Sequence, residues 1–201
     1  AQFIRSLNVD IKTNARGVID KKKEIDIYIP SCNIGIEFDG LLWHSSRYKS
    51  RSYHLDKTKL AAAHGISLIH VFEDEWKFKR PIVESILAAK LGLSKVRIGA
   101  RKCIIKSVTR QEKKKFLDSN HLQGNDASQE WIGLYCNNHL VSLMTFSKPR
   151  FSSNHQWELV RFCSLLNHSI PGAFSRLLSH FEKIHQPKSI VTYADLRYGT
   201  G

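Results

Sequence analysis

Four carboxylates, Glu24, Asp26, Glu37 and Asp39, are followed along the chain by Trp43-His44 and then by His54-Leu-Asp-Lys57. Phosphodiester hydrolysis at neutral pH needs a hard cation on oxygen ligands, to activate water and to neutralise charge at phosphorus. Asp26, Glu37 and Asp39 are the candidate ligands for such a cation, Mg²⁺ or Mn²⁺. His44 and His54 are candidates for general base toward water or acid toward the leaving oxygen. Lys57 follows His54 by about one helical turn, so both can face the metal and the lysine can stabilise the pentavalent transition state. Any one of these residues is more often a solvated strand end or a structural histidine than a catalyst. Their concentration in one segment is the signal.

To act together they must be brought to one sheet edge. Ile25, Ile27 and Ile29, and again Ile34, Ile36 and Phe38, recur with the period of two expected of strands, and 30–33 reads as the hairpin turn between them. Alternate side chains share a face, which puts Glu24 with Asp26 and Glu37 with Asp39, so that all four carboxylates can meet. A loop over 40–52 leads to a helix over 53–64 that ends at Gly65. Residues 66–72 form a nearly all-apolar strand suited to a sheet interior, Glu73 to Trp76 lie at its end, and Pro81 opens a helix to about Leu91. Upstream, 3–9 reads as the last turns of a helix, and 14–17 as a break before a basic connector.

Gly92-Leu-Ser-Lys95 resembles a linker, and the pattern then restarts, which divides the chain into domains 1–95 and 96–201. The second has a strand over 101–108, a helix capped by Thr109, strands near 130–136, 140–147 and 156–163, a helix over 171–184 and a strand over 189–194. The expected class is α/β in both domains.

Thirty-one Lys and Arg against eighteen Asp and Glu give a net charge of +13, which attracts polyanions because neutralised phosphates release their counterions. Double-stranded DNA is the expected partner. Arg47, Lys49 and Arg51 beside the carboxylates, and Arg150, Arg161 and Arg176 in the second domain, are the candidate contacts to it. Cys32, Cys103, Cys136 and Cys163 lack any zinc-ligand spacing and read as buried thiols in a reducing, cytoplasmic setting. No apolar run is long enough to span a membrane. The missing initial Met and the end at Tyr-Gly-Thr-Gly read as those of a fragment cut at both ends. A homodimer is open from the sequence.

The order strand-Asp26, strand-Glu37-x-Asp39-Gly, Trp43-His44, His54-x-x-Lys57 and Gly-Ile-x-Leu-Ile-x-Val-Phe-Glu-Asp-Glu-Trp76 resembles the PD-(D/E)xK nuclease superfamily over about residues 3–90. Within it the likeness is to the very-short-patch-repair endonucleases and the EDxHD homing endonucleases of phages. The resemblance implies a restriction-endonuclease-like mixed sheet flanked by helices. It makes Asp26 the metal-binding aspartate and His44 the histidine of a Gly-x-x-Trp-His motif. Glu37-x-Asp39 takes the E-x-K slot with aspartate in place of lysine, which suggests that Lys57 is the migrated lysine, and either His54 or Asp56 fills a further acidic position. The glutamate that the family carries on its first helix has no counterpart in 1–10.

The second domain, through Trp157 to Cys163, Pro171-Gly-Ala173, the helix from Phe174 to Ile184 and the strand from Ile190, resembles the central part of a GNAT acyltransferase fold. A GNAT fold holds acetyl-CoA pyrophosphate on amides at a glycine-rich helix start. Only Gly172 stands there, so DNA contact is the alternative use. The reading that results is a metal-dependent DNA endonuclease of homing or site-specific type. Its rivals are an acyltransferase or DNA-modifying enzyme acting through the second domain, and a catalytically dead DNA-binding protein.

Overall fold

The computed structural model describes residues 1–21, 23–40 and 53–198, and the period-two segments are strands in it. The chain is mixed α/β, with sheets flanked by helices, and divides into two units: Ala1–Glu84 with Ala194–Gly201, and Ser85–Tyr193. The division falls upstream of the glycine-containing linker near residue 92, and the terminal segment belongs with the first unit.

In the first unit a short helix α1 (Gln2–Ser6) precedes three strands, β1 (Lys12–Asp20), β2 (Lys23–Ile29) and β3 (Ile34–Asp39). Helix α2 (Tyr53–Ala63), strand β4 (Ser67–Phe72), helix α3 (Glu73–Phe78) and helix α4 (Arg80–Lys90) follow, the last running on into the second unit. The sheet order is β1-β2-β3-β4; β1–β2 and β2–β3 are antiparallel, while β3–β4 is parallel. Between β2 and β3 the chain turns through a 3₁₀ turn at Pro30–Cys32, with Asn33 left-handed at φ 51°.

Strand β1 occupies the stretch that the sequence suggested was a break and a connector. Its ladder with β2 is irregular between Arg16 and Asp20, and Asn14 and Gly17 have φ of 49° and 73°. Only Ala15 and Ile19 are buried, and Gly17 between them is exposed, so the alternation of a buried face is interrupted. Ile19, Ile25, Ala61, Ile66 and Leu68 pack as one core that joins α2 to the sheet.

The second unit holds a five-stranded sheet in the order β11-β9-β8-β7-β6, from β6 (Ile104–Lys106), β7 (Glu130–Cys136), β8 (His139–Ser147), β9 (Trp157–Ser164) and β11 (Ile190–Thr192). A separate parallel pair is formed by β5 (Val96–Arg97) and β10 (His168–Ser169), neither evident from the sequence. Helix α5 (Arg110–Asn120) starts from the expected Thr109 cap, whose hydroxyl accepts the Glu112 N–H while the Glu112 carboxylate accepts the Thr109 N–H. It packs Phe116 and Leu117 on Tyr135 and Leu143. Helix α6 (Ala173–His185) packs Leu177 and Phe181 on a second cluster with Leu134, Met144 and Phe146. Successive sheet residues thus point to opposite layers, which is why the middles of β7 and β8 are buried on both faces. The four cysteines are free; only Cys103 is buried, Cys136 and Cys163 are half-buried, and Cys32 is exposed because it closes the solvent-side turn after β2.

Candidate active site

The β2–β3 ladder runs through Ile29↔Ile34, Tyr28↔Gly35 and Ile27↔Ile36 and goes no further. Beyond it the two backbones are tied through side chains. The Asp26 N–H donates to Glu37 Oε1 at 3.3 Å, and the Phe38 N–H donates to Asp26 Oδ2 at 2.8 Å. The carboxylates therefore take up backbone donors that a continued ladder would have used. Two acids are held side by side at the point where the strands diverge.

Helix α2 lies over this edge and supplies the compensating cation. Lys57 Nζ sits 2.5 Å from Glu37 Oε2, and both side chains are buried. Burial pushes the Glu37 carboxyl above its ordinary range; the Lys57 hydrogen bond opposes this, and the charge of Asp26 adds to it. An all-oxygen pair of carboxylates, one of them hard to ionise without nearby positive charge, suits a hard dication such as Mg²⁺.

Asp39 lies two residues beyond Glu37 on β3 and joins a different group. Its Oδ2 is 2.8 Å from His70 Nδ1, on β4, and its Oδ1 is 3.6 Å from His54 Nδ1, on α2. The two imidazoles meet edge to face with centroids 5.4 Å apart. A cavity of about 350 Å³ adjoins them, lined also by Leu55, Thr58, Phe72, Leu196 and Arg197, all within the first unit. Arg197 lies over the Phe72 ring and pairs with Glu75 and Asp195, which holds the returning segment against β4.

Of the residues singled out in the sequence, Asp26, Glu37 and Lys57 come together, and Asp39 and His54 come together. Glu24 is drawn away from the edge by Arg16, directly opposite it on β1, with Nε at 3.0 Å. His44, Arg47, Lys49 and Arg51 lie outside the described residues. In the second unit Arg150 pairs at 2.5 Å with the buried Glu158, the Arg161 Nη1 donates to the carbonyl of Val160, and Arg176 donates to the carbonyl of Ala100. Each of the three guanidinium groups thus has a partner within the fold, while Arg161 Nε is buried without one. His70 and Thr58 were not anticipated. His70 is the imidazole of the otherwise largely apolar β4 and stands opposite Glu37 in the parallel ladder, a pairing that only the register of β3 against β4 reveals.

No protein-family model matches the chain, and neither does any curated protein or solved structure.

Proposed function

We propose that the first unit is a metal-dependent DNA endonuclease that hydrolyses phosphodiester bonds, of the PD-(D/E)xK type and of homing or site-specific character. The observation that carries this reading is the Asp26–Glu37 carboxylate pair at the divergence of β2 and β3, with Lys57 on Glu37. The antiparallel strands β1 to β3, with a helical connection to a parallel β4, support a restriction-endonuclease-like fold. The net charge of +13 supports a polyanionic substrate. Asp26 and Glu37 would hold Mg²⁺ or Mn²⁺. Bound there, the ion supplies Lewis acidity at the phosphate and a more acidic water. Glu37 and Asp26 fix each other through the backbone of the opposite strand, which holds both carboxylates in place without a loop. Lys57, anchored on Glu37, presents a positive charge beside the site where negative charge grows in the transition state.

Asp26→Ala and Glu37→Ala are each expected to lower cleavage by about 10²-fold or more while DNA affinity in a binding assay changes little, since the basic surface binds and the carboxylates do chemistry. A variant with full cleavage would remove its residue from the site.

A second reading has one observation in its favour. Strand β9 passes through α6 to the parallel β11, and Gly172 opens α6 at φ 83°, the arrangement that the GNAT resemblance implies. Acetyl-CoA binding by the full chain, measured by calorimetry, tests it.

A further inference from the structure

Three short links run in series across the inner face of α2. Asp39 Oδ2 meets His70 Nδ1 at 2.8 Å, His70 Nε2 meets Thr58 Oγ1 at 2.9 Å, and Thr58 Oγ1 meets the His54 carbonyl at 2.9 Å. Each link needs one positive centre between two electron-rich atoms. The hydroxyl brings one hydrogen and a neutral imidazole brings one. The carbonyl has no hydrogen of its own, so the Thr58 hydroxyl donates to it. The hydroxyl oxygen then accepts from His70 Nε2–H. In that arrangement the Nδ1 lone pair faces a carboxylate oxygen at 2.8 Å, a place that either a proton or a metal ion fills.

His54 identifies what kind of cation. Its Nδ1 approaches the other oxygen of the same carboxylate at 3.6 Å, and one ligand atom from each of Asp39, His54 and His70 can be chosen so that all lie within 4.8 Å of one another. Metal–nitrogen and metal–oxygen bonds of about 2.0–2.2 Å in tetrahedral geometry place ligand atoms about 3.3–3.5 Å apart. The two separations here, one to each oxygen of the Asp39 carboxylate, lie on either side of that value. A proton satisfies the His70 link; a metal ion at that place takes His54 as a ligand as well.

The geometry points to a transition-metal site, of the zinc class, formed by Asp39, His54 and His70 beside the Asp26–Glu37 pair. Two imidazoles and one carboxylate favour zinc, cobalt or nickel over the hard cations that an all-oxygen pair takes. Thr58 is the positioning residue: by accepting from Nε2–H it fixes the His70 tautomer that turns Nδ1 to the ion. Three protein ligands from the described residues leave a tetrahedral ion a position for water or a substrate oxygen, and the adjoining cavity has room for either. This site does not depend on the nuclease reading, because it uses neither Asp26 nor Glu37.

The test uses the full chain stripped with chelator, titrated with Zn²⁺ against a chromophoric chelator and with Co²⁺ by visible absorption. One tight equivalent is expected, with the strong visible bands of a tetrahedral Co²⁺ ion. His54→Ala and Asp39→Asn should weaken Zn²⁺ binding by more than about 100-fold, and Thr58→Val by about 10- to 100-fold. Asp26→Ala should leave it unchanged. His54 is partly exposed, so His54→Ala keeps the test decisive if His70→Ala fails to fold, with apo melting temperatures as the control. Absence of a tight equivalent, or Zn²⁺ binding that survives His54→Ala and disappears in Asp26→Ala, would overturn the proposal. Loss of cleavage in Asp26→Ala with Zn²⁺ binding intact separates the two sites.

Discussion

Lys57 and Glu37 are each nearly out of contact with water, so each charge depends on the other. Breaking a buried pair from one side costs about 3–5 kcal/mol, whereas replacing both partners with neutral groups of similar volume is close to neutral. Lys57→Met is expected to destabilise the protein by about that amount, and Glu37→Gln/Lys57→Met to recover most of it, read by chemical denaturation. A Lys57→Met variant as stable as the parent would mean that the pair is not buried in solution. A second residue sets a pH dependence. His121 Nδ1 accepts the Gln123 N–H at 3.1 Å, which requires an unprotonated nitrogen. Burial and then the charge of Arg161 push His121 from 6.5 down to about 4, against a weaker pull from Asp126. Between those values the unfolded chain takes up a proton that the native chain does not. Stability is therefore expected to fall by about 3 kcal/mol as pH drops from about 6.5 to about 4. His121→Gln should flatten a denaturation series across that window, and parallel profiles would contradict the assignment. At this scale residue type and local position were enough to anticipate that Asp26, Glu37 and Lys57 lie together. The sequence was silent on His70 and Thr58, which acquire meaning only from the register of β3 against β4.

Strand β3 carries the site, and its packing leaves no slack. A Cβ on Gly35 would lie 2.7 Å from Leu68 Cδ1 and 3.1 Å from Ile25 Cγ2, and both of those side chains are fully buried. Gly35→Ala is thus expected to cost about 1–3 kcal/mol by overpacking, seen as a lower melting temperature, and an unchanged value would mean that the sheet can spread there. Strands β2 and β3 were legible because isoleucine and phenylalanine recur with the period that one buried face demands, and β4 because its run is apolar almost throughout, as a strand in a sheet interior is. Strand β1 was not, since an edge strand with a polar outer face and an irregular ladder carries only Ala15 and Ile19 as buried anchors. The helix capped by Thr109 was legible for the opposite reason, because its start is fixed by a local exchange of hydrogen bonds.

For the molecule as a whole, the order of expected strands and helices pointed to α/β architecture and the charge to a polyanionic partner, while linear order misled about where the first unit ends. Residues near 195–198 return to it through Arg197, whose partner Glu75 is far away in sequence, and no composition shift marks such a return. Among the described residues no helix is long and apolar enough to cross a membrane. A charge of +13 would attract DNA of any sequence, so binding alone cannot establish the proposed chemistry. Cleavage can. The most direct measurement incubates the full chain with supercoiled plasmid, at one ionic strength, with Mg²⁺, with Mn²⁺ or with EDTA, beside Asp26→Ala. Nicked or linear product is expected with either metal and none in EDTA or from Asp26→Ala. Equal cleavage in chelator, or undiminished cleavage by Asp26→Ala, would contradict a metal held by the Asp26–Glu37 pair.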